Sequence, residues 1–354
     1  MKRGSPANHT QIVCTLGPAC DSEDMLRAMV LAGMGFARLN FSHGNYEEHR
    51  LRAERVRRVS EALGAHVELI QDLQGPKIRT VGVPRTELKR GDTVILGPLS
   101  QSDAIPISVP EILATVQAGD RIYLDDGMIE LEAVAPAGQG WSCHIIVGGE
   151  IEGNQGVVCP SSVLPLPPLN EKDIADVAVG REIGVEWVAL SFVQRWQDLD
   201  ELRQHVAPGT RTIAKIETPA ALTDLARIAG AADCLMIARG DLGVAIPRAQ
   251  VPIVQKDIIA ACRKTATLTI VATEMMLSMV HNPHPTRAEV SDVATAVLDG
   301  GNAVMLSEET AIGDYPALAV AEMHEIIVTV EASPYYRWDG RYQSRQADRP
   351  SPSH

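Results

Sequence analysis

Eight short runs rich in β-branched and apolar residues recur along the chain, and stretches with helical periodicity separate them. The runs lie at 11–17 (QIVCTLG), 36–41 (FARLNF), 67–73 (VELIQDL), 186–193 (EWVALSFV), 211–217 (RTIAKIE), 234–239 (CLMIAR), 268–273 (LTIVAT) and 303–307 (AVMLS). Helices are predicted at about 22–33, 45–63, 170–183, 195–206, 219–232, 248–265, 286–300 and 315–332 from apolar spacing and from start signals such as Asp21-Ser22-Glu23, Asn170 and Pro247. Repeated strand–helix alternation specifies a parallel sheet, and eight repeats make a (β/α)8 TIM barrel the leading α/β fold, ahead of an open doubly wound sheet. At 354 residues the chain has room for a barrel and one small insert.

The rhythm breaks between 80 and 165, where Gly, Pro and short alternating strands such as GDTVIL and GDRIYLDDGMIEL replace the βα repeat. A small β-barrel lid inserted after the third strand is expected there. The catalytic barrel is then discontinuous, from 1–79 and 166–338, with a polar, flexible tail at 339–354. Forty-five acidic against 32 basic residues give a net charge of −13, which disfavours nucleic acid and anionic membrane surfaces as partners while leaving room for a small phosphorylated ligand. Aromatic residues at 4% argue against a base-stacking platform. No apolar run reaches bilayer length and no signal sequence opens the chain, so a cytoplasmic protein is expected. Six cysteines without a CxxC pair read as buried, reduced thiols.

Chemistry in such a barrel belongs at the carboxyl ends of the strands. Strand two ends in Arg38, Asn40, Ser42 and His43, with the first three expected on one face of an extended segment. Strand three ends at Asp72, strand five at Lys215 and Glu217, strand six at Arg239-Gly240-Asp241, strand seven at Thr273, and strand eight at Ser307-Glu308-Glu309-Thr310. Singly, each is more often a rim charge or a helix cap; their convergence is what carries weight. Glu217 and Asp241 offer two hard oxygen ligands, a set that suits Mg²⁺ completed by water and substrate. The amides from Gly240 to Gly243 form a candidate anion cradle, and Arg38, Arg79 and Lys215 supply cations of the kind that phosphoryl transfer uses.

The segments IVCTLGPA (12–19), RLNFSHG (38–44), DLQGPKIRT (72–80), YLDDGMIEL (123–131), KIET (215–218), ARGDLGVAIP (238–247), ATEMMLSM (272–279), PTRAEVSDVATAVLDG (285–300) and MLSEETAIGDYP (305–316) resemble pyruvate kinases, in order, over residues 10–332. The resemblance implies a phosphotransferase of the last step of glycolysis, acting on phosphoenolpyruvate and ADP to give pyruvate and ATP, with Mg²⁺ or Mn²⁺ as cofactor. It implies Arg38, Lys215, Thr273 and Ser307 as catalytic residues, with Arg38 clamping the phosphoryl group, Lys215 stabilising its charge and Thr273 near the proton relay. Glu217 and Asp241 would hold the metal. Gly240, Asp241 and Thr273 would hold the substrate carboxylate, and Asn40, Ser42, His43 and Arg79 would face the nucleotide. A homo-oligomer, a dimer through the barrel, is also expected.

Several positions depart from the family pattern. Members that need K⁺ hold it with residues matching Asn40, Ser42, Asp72 and the carbonyl at position 73, and carry Thr and Glu where this chain has Leu73 and Lys77. A Lys77 ammonium in place of the ion makes K⁺ dispensable on this reading. Gln155 replaces a lysine expected near the nucleotide phosphates, while Glu308 and Glu274 replace Gly and Gln. Family members usually continue with a regulatory α/β domain past the point where this sequence ends, so no effector site is expected. Competing readings are a Mg²⁺-dependent lyase acting on pyruvate or phosphoenolpyruvate and a non-catalytic metabolite sensor.

Overall fold

In the computed structural model, which describes residues 9–337, the eight expected segments form one closed parallel barrel. Its strands are Gln11–Thr15, Met34–Asn40, Glu68–Asp72, Trp187–Leu190, Arg211–Ile216, Cys234–Ala238, Leu268–Ala272 and Ala303–Leu306, each paired with its sequence neighbours and the last closing on the first. Buried side chains such as Val13, Ile70, Ile213, Met236, Ile270 and Met305 fill the interior, and a larger apolar layer lies between strands and helices. That double burial explains why these strands read as nearly continuous apolar runs. The predicted tail at 339–354 lies outside the described residues. Among those described, no helix is long and apolar enough to cross a membrane, and all six cysteines are free and buried.

The helices follow their start and stop signals. Ser22, Asn45, Asn170, Thr218 and Thr286 each cap a helix by accepting a backbone N–H three residues on, and Gly64, Gly184 and Gly300 end helices in the left-handed conformation. Two differences from the sequence reading stand out. The segment at 219–232 is two short helices, Pro219–Thr223 and Leu225–Ala231, broken at Asp224. A seven-residue helix, Arg239–Ala245, also follows the sixth strand directly, where glycines at 240 and 243 masked the helical pattern.

The inserted segment has its own apolar cluster, around Leu96, Ile122, Leu131, Cys143 and Ile151. Where a small β-barrel was expected, its strands order as a six-stranded sheet and a two-stranded ribbon. Register shifts along Ile129–Ala137 and Gly140–Val147 give the longest hairpin its local twist. The outgoing and returning chains pair as they leave the barrel: Arg79 bridges Gly156, Thr80 N–H donates to the Gln155 carbonyl at 2.9 Å, and Val157 N–H donates to the Ile78 carbonyl at 2.9 Å.

Candidate active site

Asp72, at the end of the third barrel strand and 1% exposed, collects two cations. Arg38 sits two residues before Asn40, the register partner of Asp72, so its side chain rises from the same rim; its Nε donates to Asp72 Oδ2 at 2.6 Å. Lys215 Nζ lies 3.3 Å from Asp72 Oδ1, 3.0 Å from Glu217 Oε1, and donates to Ser191 Oγ at 2.7 Å. Burial raises the Asp72 pKa, but the Lys215 and Arg38 charges outweigh it and hold the carboxyl below its usual range. Lys215 shows the converse: burial disfavours its charge, yet Asp72 and Glu217 raise its pKa above the ordinary lysine value. Arg38 and Lys215 thus stand at the rim as two oriented cations, both held by Asp72 and the second also by Glu217.

Glu217 is the second buried carboxylate, with its Oε2 accepting from the Phe192 N–H at 2.7 Å. Its Oε1 is buried and has no hydrogen bond, the Lys215 ammonium approaching only as an ion pair. Burial, and then the nearby Asp241 charge, raise the Glu217 pKa against the pull of Lys215. Glu217 and Asp241 line the same narrow cleft between barrel and insert. A buried carboxylate oxygen without a hydrogen bond, beside a second carboxylate, is a donor set that fits Mg²⁺. Among the described residues no group of three or more His, Cys, Asp or Glu forms a metal cage, so such an ion would draw its other ligands from water and substrate.

Thr273 follows the seventh strand with φ +71°, and its Oγ1 accepts from the Gly240 N–H at 2.7 Å. Of the expected cradle, the Gly240 amide is engaged by Thr273, and residues 240–243 lie in the opening turns of the helix Arg239–Ala245. Ser307 is half-buried at the end of strand eight, where its N–H donates to Glu309 Oε2 at 2.7 Å. Glu309 is fully buried and also accepts from the Met276 N–H at 3.0 Å, whereas the neighbouring Glu308 is exposed.

The second strand stops at Asn40, and the chain turns, with His43 N–H donating to the Asn40 carbonyl and Gly44 at φ +75°. Ser42 is therefore exposed and off the face shared by Arg38 and Asn40, contrary to the extended reading; its N–H donates to Asn40 Oδ1 at 3.2 Å. Leu73 is buried, its N–H donating to the Ala189 carbonyl and its carbonyl accepting from Ser191 Oγ. Lys77 turns to the insert, where its ammonium lies 3.5 Å from Asp126 Oδ1, and the cations on Asp72 are Arg38 and Lys215 instead. Arg79 donates to the Asn154 carbonyl at 2.8 Å and, with Lys77, Ser108 and Asn170, lines a cavity of about 590 Å³. Gln155 folds back on its own loop, accepting from the Glu152 N–H at 3.2 Å.

Three participants escaped the sequence reading. Ser191 orients Lys215, Thr15 Oγ1 accepts from Arg38 Nη1 at 2.9 Å, and the Phe192 amide holds Glu217. Ser191 and Thr15 stand at the ends of strands four and one, so the strand-end rule extended to those strands finds them. Nothing in the sequence marks a backbone amide.

The family model described as "Pyruvate kinase, barrel domain" matches residues 7–320. The chain is 44% identical over 329 residues to a protein named pyruvate kinase from Mycobacterium tuberculosis (strain ATCC 25618 / H37Rv), covering 91% of this chain and 70% of that protein. Proteins of the same name from Agrobacterium vitis and Staphylococcus aureus (strain NCTC 8325 / PS 47) are 46% and 42% identical, each alignment covering 93% of this chain and 69% and 58% of the relative.

Proposed function

The chain belongs to the pyruvate kinase family, and from that premise we propose that it transfers the phosphoryl group of phosphoenolpyruvate to ADP, giving pyruvate and ATP. The observation that carries the reading is the pairing of Arg38 and Lys215 on one buried Asp72, beside Glu217, whose Oε1 makes no hydrogen bond and meets only the Lys215 ammonium.

In this reading the enol phosphate lies between Arg38 and Lys215. The bond from phosphorus to the enol oxygen breaks, a bond from a β-phosphate oxygen of ADP forms, and the enolate left behind takes a proton at C3. Arg38 orients the phosphoryl oxygens through its guanidinium, which Asp72 and Thr15 fix from behind. Lys215, held by Ser191, meets the charge that spreads over those oxygens in transfer. Glu217 and Asp241 would hold Mg²⁺ or Mn²⁺, which when bound supplies positive charge beside the phosphoryl and enolate oxygens. The Asp241 amide and Thr273 lie towards the substrate carboxylate, and Thr273 and Ser307 border the path of the proton. Asn40, Ser42, His43 and Arg79 face the nucleotide, with Gln155 contributing no charge there.

A coupled assay of pyruvate formation from phosphoenolpyruvate and ADP with Mg²⁺ tests the reading, with Lys215→Met as the comparison. The wild type is expected to turn over and the variant to lose about 100- to 1,000-fold in kcat. Equal inactivity of the two overturns the proposal in favour of a non-catalytic metabolite binder.

A further inference from the structure

Thr273 and Glu274 have consecutive positive φ angles, +71° and +55°. For a β-branched threonine this is an outlier, and such backbone persists only where its surroundings over-determine it. The restraint comes from the Arg239-Gly240 dipeptide at the end of the sixth strand. Gly240 N–H donates to Thr273 Oγ1 at 2.7 Å, and Arg239 Nη2 donates to the Thr273 carbonyl at 2.9 Å. Arg239 is held in turn by Asp292, on the helix Arg287–Asp299, through Nη1 to Oδ1 and Nη2 to Oδ2, both at 2.7 Å. The Arg239 side chain is 13% exposed, which distinguishes it from a solvated rim charge.

We infer that Arg239 and Asp292 are positioning residues that fix the strained backbone of Thr273, and through it the hydroxyl that borders the reacting substrate. The inference rests on the phosphoryl-transfer reading and names residues that act through Thr273. The charge-assisted hydrogen bond from Nη1 to Oδ1, with Nη2 held against Oδ2 as an ion pair, sets the orientation of the guanidinium as well as its distance. One fork serves both Asp292 oxygens and also reaches the Thr273 carbonyl, a geometry that a lysine ammonium does not reproduce. The Arg287–Asp299 helix thus bears on the chemistry at one remove.

The test uses Asp292→Ala, Asp292→Asn and Arg239→Lys in the full chain, with Mg²⁺, phosphoenolpyruvate and ADP. Asp292→Ala and Arg239→Lys are expected to lower kcat about 10- to 100-fold, since small misplacements near the reacting centre have that effect. The KM for phosphoenolpyruvate is expected to stay within about threefold, because the loss falls on the transition state. In a Thr273→Ala background the further loss from Asp292→Ala is expected to shrink to about threefold or less, as for residues acting as a unit. Asp292→Asn, which keeps one acceptor, falls between. Hydrogen exchange of the 272–277 segment, measured on the ligand-free protein, is expected to quicken at least about tenfold in Asp292→Ala as a local opening. Unchanged exchange in that segment, or fully additive losses in the double variant, overturns the inference. A wild type that makes no pyruvate defeats the functional reading instead, and the exchange measurement then decides the positioning on its own.

Discussion

Asp72 engages each of its oxygens with a different cation, Oδ2 with Arg38 and Oδ1 with Lys215. Arg38 and Lys215 belong to the family's own catalytic set, so what departs here is Lys77, whose ammonium adds positive charge to the cleft lined by Glu217 and Asp241, where a further cation meets repulsion. Turnover in tetramethylammonium chloride is therefore expected to stay within about twofold of that in potassium chloride; strong activation by K⁺ would sink the idea. The Lys77 ammonium stands beside Asp126 on the insert and not on Asp72 itself. Residue type and order along the strand ends were enough to bring Arg38, Lys215, Glu217, Asp241 and Thr273 to one rim. Which charge pairs with which depends on side-chain reach of a few ångströms, and strand periodicity does not encode that. The same limit explains Ser42: Asn40 Oδ1 captures its amide and turns the chain, a local competition that alternation alone cannot foresee.

At the scale of elements, the eight barrel strands were legible because burial on both faces leaves no choice but apolar β-branched residues. The helix Arg239–Ala245 was not, since two glycines in seven residues contradict the helical propensity that it adopts in place. Contacts between elements set some identities more strictly than propensity. A Cβ on Gly17 would meet the Ala311 backbone oxygen at 2.4 Å, where the loop after the first strand passes the short helix after the last. Since backbone atoms and not a flexible side chain stand in the way, Gly17→Ala is expected to destabilise by about 2–3 kcal/mol, read by denaturant titration. Thr286 and Glu289 form a capping box in which Glu289 also accepts from Ser278 N–H and Oγ. Thr286→Ala is expected to lose about 1 kcal/mol in the same titration.

For the molecule as a whole, stability in acid is set in part at the end of the barrel opposite the candidate site. Glu68, at the start of the third strand, accepts from Trp187 Nε1 and pairs with Arg211, both at 2.6 Å. Burial raises the Glu68 pKa, but Arg211 and Trp187 overcome it and hold the carboxyl below its usual value. A depressed carboxylate stabilises the fold above its unfolded pKa and loses that contribution as the pH falls through the native one. The stability gap between wild type and Glu68→Gln is thus expected to be full above pH about 4.3 and to close at lower pH; a gap independent of pH would contradict it. The insert, with its separate apolar cluster, joins the barrel through two paired chain segments, 78–80 running out and 154–157 running back. A strap of two hydrogen-bonded strands bends easily across its flat face and resists twisting or shearing in its plane. Whatever swing the insert makes is therefore confined to one direction, as for a door on a strap hinge. Arg79 is fastened to the insert as well, its carbonyl accepting from Ser108 N–H at 2.8 Å and its N–H donating to Ser108 Oγ at 3.0 Å, so its guanidinium travels with the door as the cleft opens.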